Sequence, residues 1–347
     1  MRYNYQVLKS FGSQVMVKAG LEKEEADLFM ENLLYADSRG VGSHGISRLI
    51  NYAKRVRCGV ITGGAEIEVV SESASGLVID GHNAIGAKIG RRTMDLCIKK
   101  ARQTGCCTAA VRGANHFGVA SFYTSYAAQQ GMIAFVVSNS EAAVAPVGGA
   151  KAMLGTNPLG IAVPAGEHDD FDLDMATSMV ARGKVVLAQK EGRQIPLGWA
   201  VDKNGENTTD PAAVLDGGCM LPFGGPKGYA ISLFIDMMCS CLGGADNCRT
   251  TSHFWTDYDR PQNIGYFMIV IDPSKFLPQE VFLNRIDAMM DEFKACPTAP
   301  GVQQVMIPGE IEANKARISQ NEGIELSDAV AQELRAVGKE YGVVADF

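Results

Sequence analysis

Two histidines stand in glycine-bordered frames, His44 in Ser43-His44-Gly45 and His116 in Asn115-His116-Phe117-Gly118. Glycine lets a ligand approach the backbone and loops carry chemistry, so both imidazoles are candidates for proton transfer. Arg48 and Tyr52 follow His44 at four-residue intervals. On a helix that spacing lays imidazole, guanidinium and phenol along one stripe. A guanidinium can hold a carboxylate by two parallel hydrogen bonds, and a histidine can exchange a proton with an oxygen on the next carbon. The set therefore suits a small 2-oxo or 2-hydroxy acid, against the plainer reading of a surface helix with a solvated Arg48. Asp174 directly precedes Met175-Ala176-Thr177-Ser178, where small and hydroxyl residues end a strand-like run. Such an end offers backbone N–H groups to an anion, and the carboxylate could orient a histidine.

Other chemistries fit less well. Ser43 beside His44 invites a serine hydrolase, but Val41 stands where the first glycine of a nucleophile elbow belongs. No strand-linked G-x-G-x-x-G fingerprint is present. Gly81 to Lys88 lacks the lysine and the following Ser or Thr of a phosphate loop, Ala87 occupying the lysine position. The nine cysteines form no C-x-x-C pair, so neither a disulfide framework nor a zinc site is expected. Asp170, Asp172 and Asp174 alternate and would share a strand face, open to a hard cation or to solvent. No metal site is assigned.

The elements that must position these groups belong to a chain of 347 residues, 46% hydrophobic and 20% charged, which suggests two domains around a sizeable core. Thirty-two Lys and Arg against 39 Asp and Glu leave a net charge of -7, which removes the electrostatic case for nucleic acid. Arg55, Arg57 and Lys99 to Arg102 read as solvated helix faces. No apolar run spans a bilayer and the first twenty residues do not read as a secretory signal, so a cytoplasmic protein without membrane contact is expected. Apolar periodicity predicts helices over Val7–Gly20, Ala26–Gly40 and Gly45–Cys58. From Glu66 short strands begin: Ile67–Val70, Gly76–Ile79, Thr108–Val111, Ile133–Val137, Leu159–Val163, Phe171–Asp174 and Phe267–Ile271. Helices are predicted over Ile85–Gln103, Ala120–Gln130, Tyr229–Leu242, Gln279–Lys294 and Ser327–Tyr341, with a turn-rich stretch from Pro196 to Pro226. The seven-residue link between the fifth and sixth strands suggests antiparallel neighbours. The reading is α/β (α+β) with a mixed sheet: a helical domain of residues 1–70 joined by the tail 305–347, and a mixed α/β domain of residues 71–304.

Five separated motifs carry a resemblance: Ser43-His44-Gly45 with Arg48; Asn115-His116-Phe117-Gly118; Gly148-Gly149 through Gly155-Thr156-Asn157-Pro158; Asp174-Met175-Ala176-Thr177; and Gly224-Gly225-Pro226-Lys227-Gly228-Tyr229. In this order the chain resembles the malate/L-lactate dehydrogenase family, the non-Rossmann group that includes ureidoglycolate dehydrogenase and 2,3-diketogulonate reductase. The resemblance implies a nicotinamide-dependent oxidoreductase, using NAD or NADP with NAD favoured. It also implies a three-layer mixed-sheet cofactor domain and a homodimer with the active site near the subunit interface. By position it implies His44 or His116 as proton donor, Asp174 as the supporting carboxylate, and Ser43, Arg48 and Tyr52 as substrate contacts. Ser140, Thr156, Asn157, Asp174, Met175, Ala176, Lys227, Gly228, Pro308, Gly309 and Glu310 are implied to line the cofactor. Glu141 adds an acidic group beside Ser140. Malate- or lactate-like 2-hydroxy acids are the expected substrates. Ureidoglycolate oxidation, diketogulonate reduction and cyclic imino acid reduction are family alternatives, and a non-catalytic binding protein is the alternative of a different class.

Overall fold

The N-terminal helices start where side chains satisfy free backbone N–H groups. Asn4 accepts from Gln6 and Val7 to open α1 (Tyr5–Ala19), which stops at Gly20 in a positive-φ conformation. A reciprocal Glu22/Glu25 capping box opens α2 (Lys23–Ser38). The computed structural model describes residues 1–347 apart from the side chain of Lys190. The third predicted helix is corrected. Gly45 is extended (φ -88°, ψ -158°) and splits the segment into two 3₁₀ turns, Gly42–His44 and Ile46–Arg48, ahead of α3 (Leu49–Arg57). The expected single helical stripe of His44, Arg48 and Tyr52 is therefore broken before Arg48. The three residues still converge, through loop geometry.

The main sheet has seven strands: β1 (Glu68–Glu72), β2 (Gly76–Asp80), β3 (Cys106–Ala114), β4 (Ile133–Ser138), β5 (Leu159–Val163), β6 (Phe171–Met175) and β7 (Ile264–Ile271). Their order is β1-β2-β3-β7-β4-β5-β6. Only β2 and β3 are parallel, joined by α4 (Gly86–Thr104), and every other pair is antiparallel, β5 with β6 included. The late strand β7 is inserted between β3 and β4, which α5 (Ser121–Ala128) connects in sequence. Tyr266, Met268 and Val270 of β7 are fully buried there against Ala109, Val111, Ala134 and Val136. The mixed α/β class stands.

A second core joins the two ends of the chain. Leu8, Phe11, Phe29 and Leu33 pack with Leu334, Val337 and Tyr341 of the last helix, α11 (Asp328–Tyr341). Several elements gave no sequence signal: helices Arg182–Lys190, Pro211–Leu215 and Glu310–Glu322, a three-stranded sheet of two-residue strands inside the turn-rich stretch, and the short pairing of Arg2–Tyr3 with Ile324–Glu325. Strands that short have no period to read. The helix predicted over Tyr229–Leu242 begins earlier, at Pro226, and passes into a π-helical turn at Met237–Leu242. Among the described residues no helix is long and apolar enough to cross a membrane.

The sheet is tied to the N-terminal helices at Asp172 of β6. Its carboxylate accepts from Ser125 Oγ (2.8 Å) and lies 3.6 Å from Arg39 Nη1, while Arg39 stacks over Tyr35. Burial raises the Asp172 carboxyl from 3.8 to about 6, against the opposing pull of Ser125 and Arg39. A carboxyl easier to protonate in the folded chain gives stability that is complete below its unfolded value and is lost as pH rises to the folded one. The Tm of Asp172→Asn relative to the natural protein is therefore expected to rise between about pH 4 and pH 6 and to stay level above, as read by calorimetry. A difference independent of pH would show that Asp172 is not held in that state.

Candidate active site

The end of β3 carries His116, and its backbone has little freedom. The fully buried amide of Asn115 donates to Asn83 O (3.1 Å), Asn83 Oδ1 (2.8 Å) and Ala84 O (3.0 Å). Tyr266 of the inserted strand donates to Asn115 O, and the buried Gln262 accepts from His116 N (3.1 Å). On the far side Asn32 Nδ2 (3.1 Å) and Tyr123 Oη (2.6 Å) both donate to Phe117 O. Gly118 has φ +83°, and a Cβ there would stand 1.7 Å from Asn32 Oδ1, so only glycine fits.

Onto this turn the 42–48 loop brings Ser43, His44 and Arg48. Asp37 of α2 seats the loop by accepting from Ile46 N at 2.6 Å, and Gly45 packs flat against that carboxylate. Burial raises the Asp37 carboxyl to about 7. Arg48 Nε donates to Ser43 O (2.6 Å), Ser43 Oγ lies 3.1 Å from His44 Nδ1, and the two imidazoles stack with centroids 5.6 Å apart.

His116 Nδ1 lies 2.5 Å from Tyr52 Oη and 3.2 Å from the amide N of Gly118. A backbone N–H can only donate, so Nδ1 keeps its lone pair and the neutral ring carries its proton on Nε2. Nε2 stands 3.4 Å from Arg48 Nη1. Two donors thus point into one place, and an anionic or carbonyl oxygen there could accept from both. Burial, then the positive charge of Arg48, hold both imidazoles well below the ordinary histidine range, although each keeps a partly exposed edge. Both are neutral at pH 7. The site therefore offers one cation, two neutral imidazoles and a phenol, all within reach of each other.

The structure also brings in residues without a sequence motif. Phe254, 1% exposed, packs against His116 (5.2 Å between centroids) and Tyr52 (4.9 Å), and Arg48 lies 5.7 Å from its ring and 5.1 Å from that of Trp255. Arg55, expected on a solvated face, is fully buried. Its Nη1 donates to Phe254 O (3.1 Å) and Asp257 O (2.7 Å). Arg57, by contrast, is exposed and pairs with Glu340 (2.6 Å). The only prior hint of this wall was an aromatic cluster, Phe254, Trp255 and Tyr258, in an otherwise polar loop.

The expected cofactor residues cluster at the ends of β4, β5 and β6. Ser140 Oγ accepts from Thr156 N (3.1 Å), and Asn157 Oδ1 accepts from Ser140 N (3.2 Å). Thr177 donates to both Thr156 O and Asn157 O (3.1 Å each) and accepts from Phe223 N (3.0 Å), which docks the glycine turn before α8 (Pro226–Asp236) onto the same strand end. Gly224 (φ +55°) and Gly225 (φ +60°) leave open space beside the helix N-terminus, and the exposed Lys227 has no ion-pair partner among the described residues. The N–H groups of Gly225, Gly228 and Tyr229 are bonded to Pro222 O, Phe223 O and Gly225 O, so it is the open space and the charge of Lys227 that fit an anionic dinucleotide backbone. Pro308 O accepts from Asp172 N (3.0 Å), and Gly309 abuts Asp172, so this turn lies along β6. Glu310 is occupied, pairing with Lys294 and accepting from Ile307 N (2.9 Å).

Asp174 accepts from Ser121 N (2.8 Å) and Oγ (2.7 Å) at the start of α5, and no histidine is among its hydrogen-bond partners. The residue itself is exposed at the end of β6. Met175 and Ala176 continue from Asp174 toward Thr177. Among the described residues no three His, Cys, Asp or Glu side chains are grouped to hold a metal ion. Asp170 instead accepts from Ala165 N (3.0 Å).

Comparison with known proteins places this geometry in a family. A family model described as malate/L-lactate dehydrogenase matches residues 3–335. The chain is 39% identical over 329 residues to the L-sulfolactate dehydrogenase of Methanocaldococcus jannaschii, covering 95% of this chain and 94% of that one. It is 37% identical over 352 residues to a malate dehydrogenase of Pyrococcus horikoshii (97% and 94% covered). It is 35% identical over 334 residues to the ureidoglycolate dehydrogenase (NAD(+)) of Escherichia coli (96% and 95%). A solved structure of the M. jannaschii sulfolactate dehydrogenase superposes with a TM-score of 0.93 at 38% identity, covering 100% of this chain and 99% of that one.

The seat of the 42–48 loop is open to a direct test. A Cβ on Gly45 would stand 1.8 Å from Asp37 Oδ1, so Gly45→Ala is expected to cost about 1–3 kcal/mol by overpacking, measured by chemical denaturation. Adding Asp37→Ala should recover part of that loss. Unchanged stability in Gly45→Ala would show that Asp37 does not hold the loop there.

Proposed function

The chain belongs to the malate/L-lactate dehydrogenase family and is an oxidoreductase, and from that premise we propose that it moves a hydride between a nicotinamide dinucleotide and C2 of a small 2-hydroxy or 2-oxo acid such as oxaloacetate or pyruvate. The observation that carries this reading is the pair of donors, Arg48 Nη1 and His116 Nε2, which at 3.4 Å apart are near enough for one oxygen lying beside both to accept from each. Arg48 binds the substrate carboxylate, and His116 Nε2 faces the oxygen on C2. Tyr52 and Gly118 fix the His116 ring. Ser43 and His44 border the same space.

The bound nicotinamide supplies or accepts the hydride. Ser140, Thr156, Asn157, Asp174 to Ala176, Lys227 with Gly228, and the Pro308-Gly309-Glu310 turn would hold the dinucleotide, with NAD favoured. Reduction needs one proton on the histidine pair and oxidation needs none. Burial and the charge of Arg48 disfavour that proton, whereas an entering carboxylate would offset the charge of Arg48 and make protonation less costly. The proton would pass from Nε2 of the doubly protonated His116 ring to the oxygen on C2 as C2 gains the hydride, the ring's second proton staying on Nδ1, where Tyr52 Oη can accept it, and oxidation would reverse both transfers. The homodimer is part of the same proposal. Phe234, Met237 and Leu242 on and after α8 expose apolar surface that a second copy could cover.

A panel of 2-oxo acids, each assayed with NADH and with NADPH by loss of nicotinamide absorbance, tests the activity, and turnover of none of them overturns it. Arg48→Leu should raise the KM of the 2-oxo acid roughly 10- to 100-fold, since hydrogen bonds between charged groups are worth about 1.5–3 kcal/mol, and leave the KM of the reduced dinucleotide nearly unchanged. Equal losses in both would remove the carboxylate role. His116→Ala should lower kcat by roughly 10²- to 10⁴-fold, and His44→Ala by less. Because the histidine pKa lies below the ordinary 6.5, kcat/KM for reduction should already be falling with pH at neutrality, while that for oxidation levels off there.

A further inference from the structure

We propose that Trp255, held in place by Arg55, is a positioning residue for Arg48 and sets how tightly the enzyme grips the substrate carboxylate. This rests on the carboxylate role proposed for Arg48. The guanidinium of Arg48 donates through Nε to Ser43 O and brings Nη1 to 3.4 Å from His116 Nε2, and its Cζ lies over the rings of Phe254 and Trp255, 5.7 and 5.1 Å from their centroids. The two rings meet edge to face, with centroids 5.2 Å apart and planes at 87°. A guanidinium backed by aromatic faces keeps its remaining N–H groups directed edgewise, which is the orientation a carboxylate needs for two parallel hydrogen bonds. Trp255 is 51% exposed, so it gains little from burial and owes its place to the segment that carries it.

That segment, residues 252–258, has no regular secondary structure and is held from α3. Arg55 Nη1 reaches the carbonyls of Phe254 and Asp257, with that of His253 at 3.5 Å. Asn51 Nδ2 donates to Phe254 O (2.9 Å), Tyr258 donates to Asn51 Oδ1, and Lys54 Nζ lies 3.8 Å from the centroid of the Tyr258 ring. Arg48 stands at the N-cap of α3, which presents Asn51 with Tyr52 on its first turn and Arg55 on the next. The element that starts at the substrate cation thus also bears the clamp for the wall behind it. Arg55 Nε and Nη2 are buried without a partner, so the side chain is committed to this loop at the expense of two unmade hydrogen bonds.

Steady-state kinetics with pyruvate and oxaloacetate, joined to hydrogen exchange of residues 252–258, test the proposal. Trp255→Ala should raise the KM of the 2-oxo acid roughly three- to tenfold with kcat within about twofold, and Trp255→Phe should restore most of the affinity. Arg55→Met should raise the same KM and speed amide exchange in 252–258 at least about tenfold, with Arg55→Lys intermediate and available should the methionine variant not fold. An unchanged KM in Trp255→Ala, a failure of phenylalanine to restore it, or unchanged exchange in Arg55→Met and Arg55→Lys each overturns the proposal. Absence of any 2-oxo acid turnover by the natural protein overturns the dehydrogenase reading instead. The exchange result then decides the Arg55 clamp by itself.

Discussion

The buried side-chain amide of Asn115 is the interaction on which the rest of the site depends. It donates to three oxygens of the Asn83–Ala84 turn, so the chain leaving β3 is fixed to the chain leaving β2. An amide withdrawn from water must find such partners or lose several kcal/mol of free energy, of order 2–7 kcal/mol in apolar surroundings. Once it has found them, His116 has one place to go. Tyr266 of the inserted strand and Gln262 hold the same turn from the other side, which makes the position of the imidazole a property of three sheet strands rather than of its own loop.

Around that fixed ring the electrostatics follow from burial. Arg48 enters beside His116 with no carboxylate bonded to it, and both histidines respond by staying neutral. The site is poised for an anion because its one directed cation is stacked on aromatic rings instead of being neutralised by an ion pair. Acidic groups are kept nearby but engaged: Asp37 with Ile46, Asp172 with Ser125 and Arg39, Asp174 with Ser121. Each holds together elements that carry the site. The alternating Asp170, Asp172 and Asp174 illustrate how a pattern that suggests a cation site can instead serve as three separate joints between a strand and its neighbours.

Much of this was legible from local pattern. The helices with clear apolar periodicity and the strands of the sheet fall where expected, and the antiparallel pairing of β5 with β6 follows from a short connection. Two kinds of reading failed. Arg55 has the spacing of a solvated residue, yet carbonyl groups from a loop some two hundred positions away bury it. The His44, Arg48, Tyr52 stripe assumed one helix, whereas the Asp37 carboxylate beneath Gly45 imposes two 3₁₀ turns. In both cases the deciding partner lies on another element, 199 positions from Arg55 and nine before Ile46, and leaves no period at the residue it acts on.

What the sequence by itself determined is the inventory: which residue types could bind an anion and move a proton, the glycines that let backbone approach backbone, and the mixed α/β class. Those depend on side-chain chemistry and on hydrophobic period, which are local. The tertiary structure alone decided that β7 separates β3 from β4, that Tyr52 and Gly118 leave the His116 proton on Nε2, and that Phe254 and Trp255 back Arg48. These depend on strands, loops and side chains that meet only in the folded chain, Tyr52 and His116 from 64 positions apart, where a few tenths of an ångström settle which atom donates and which accepts.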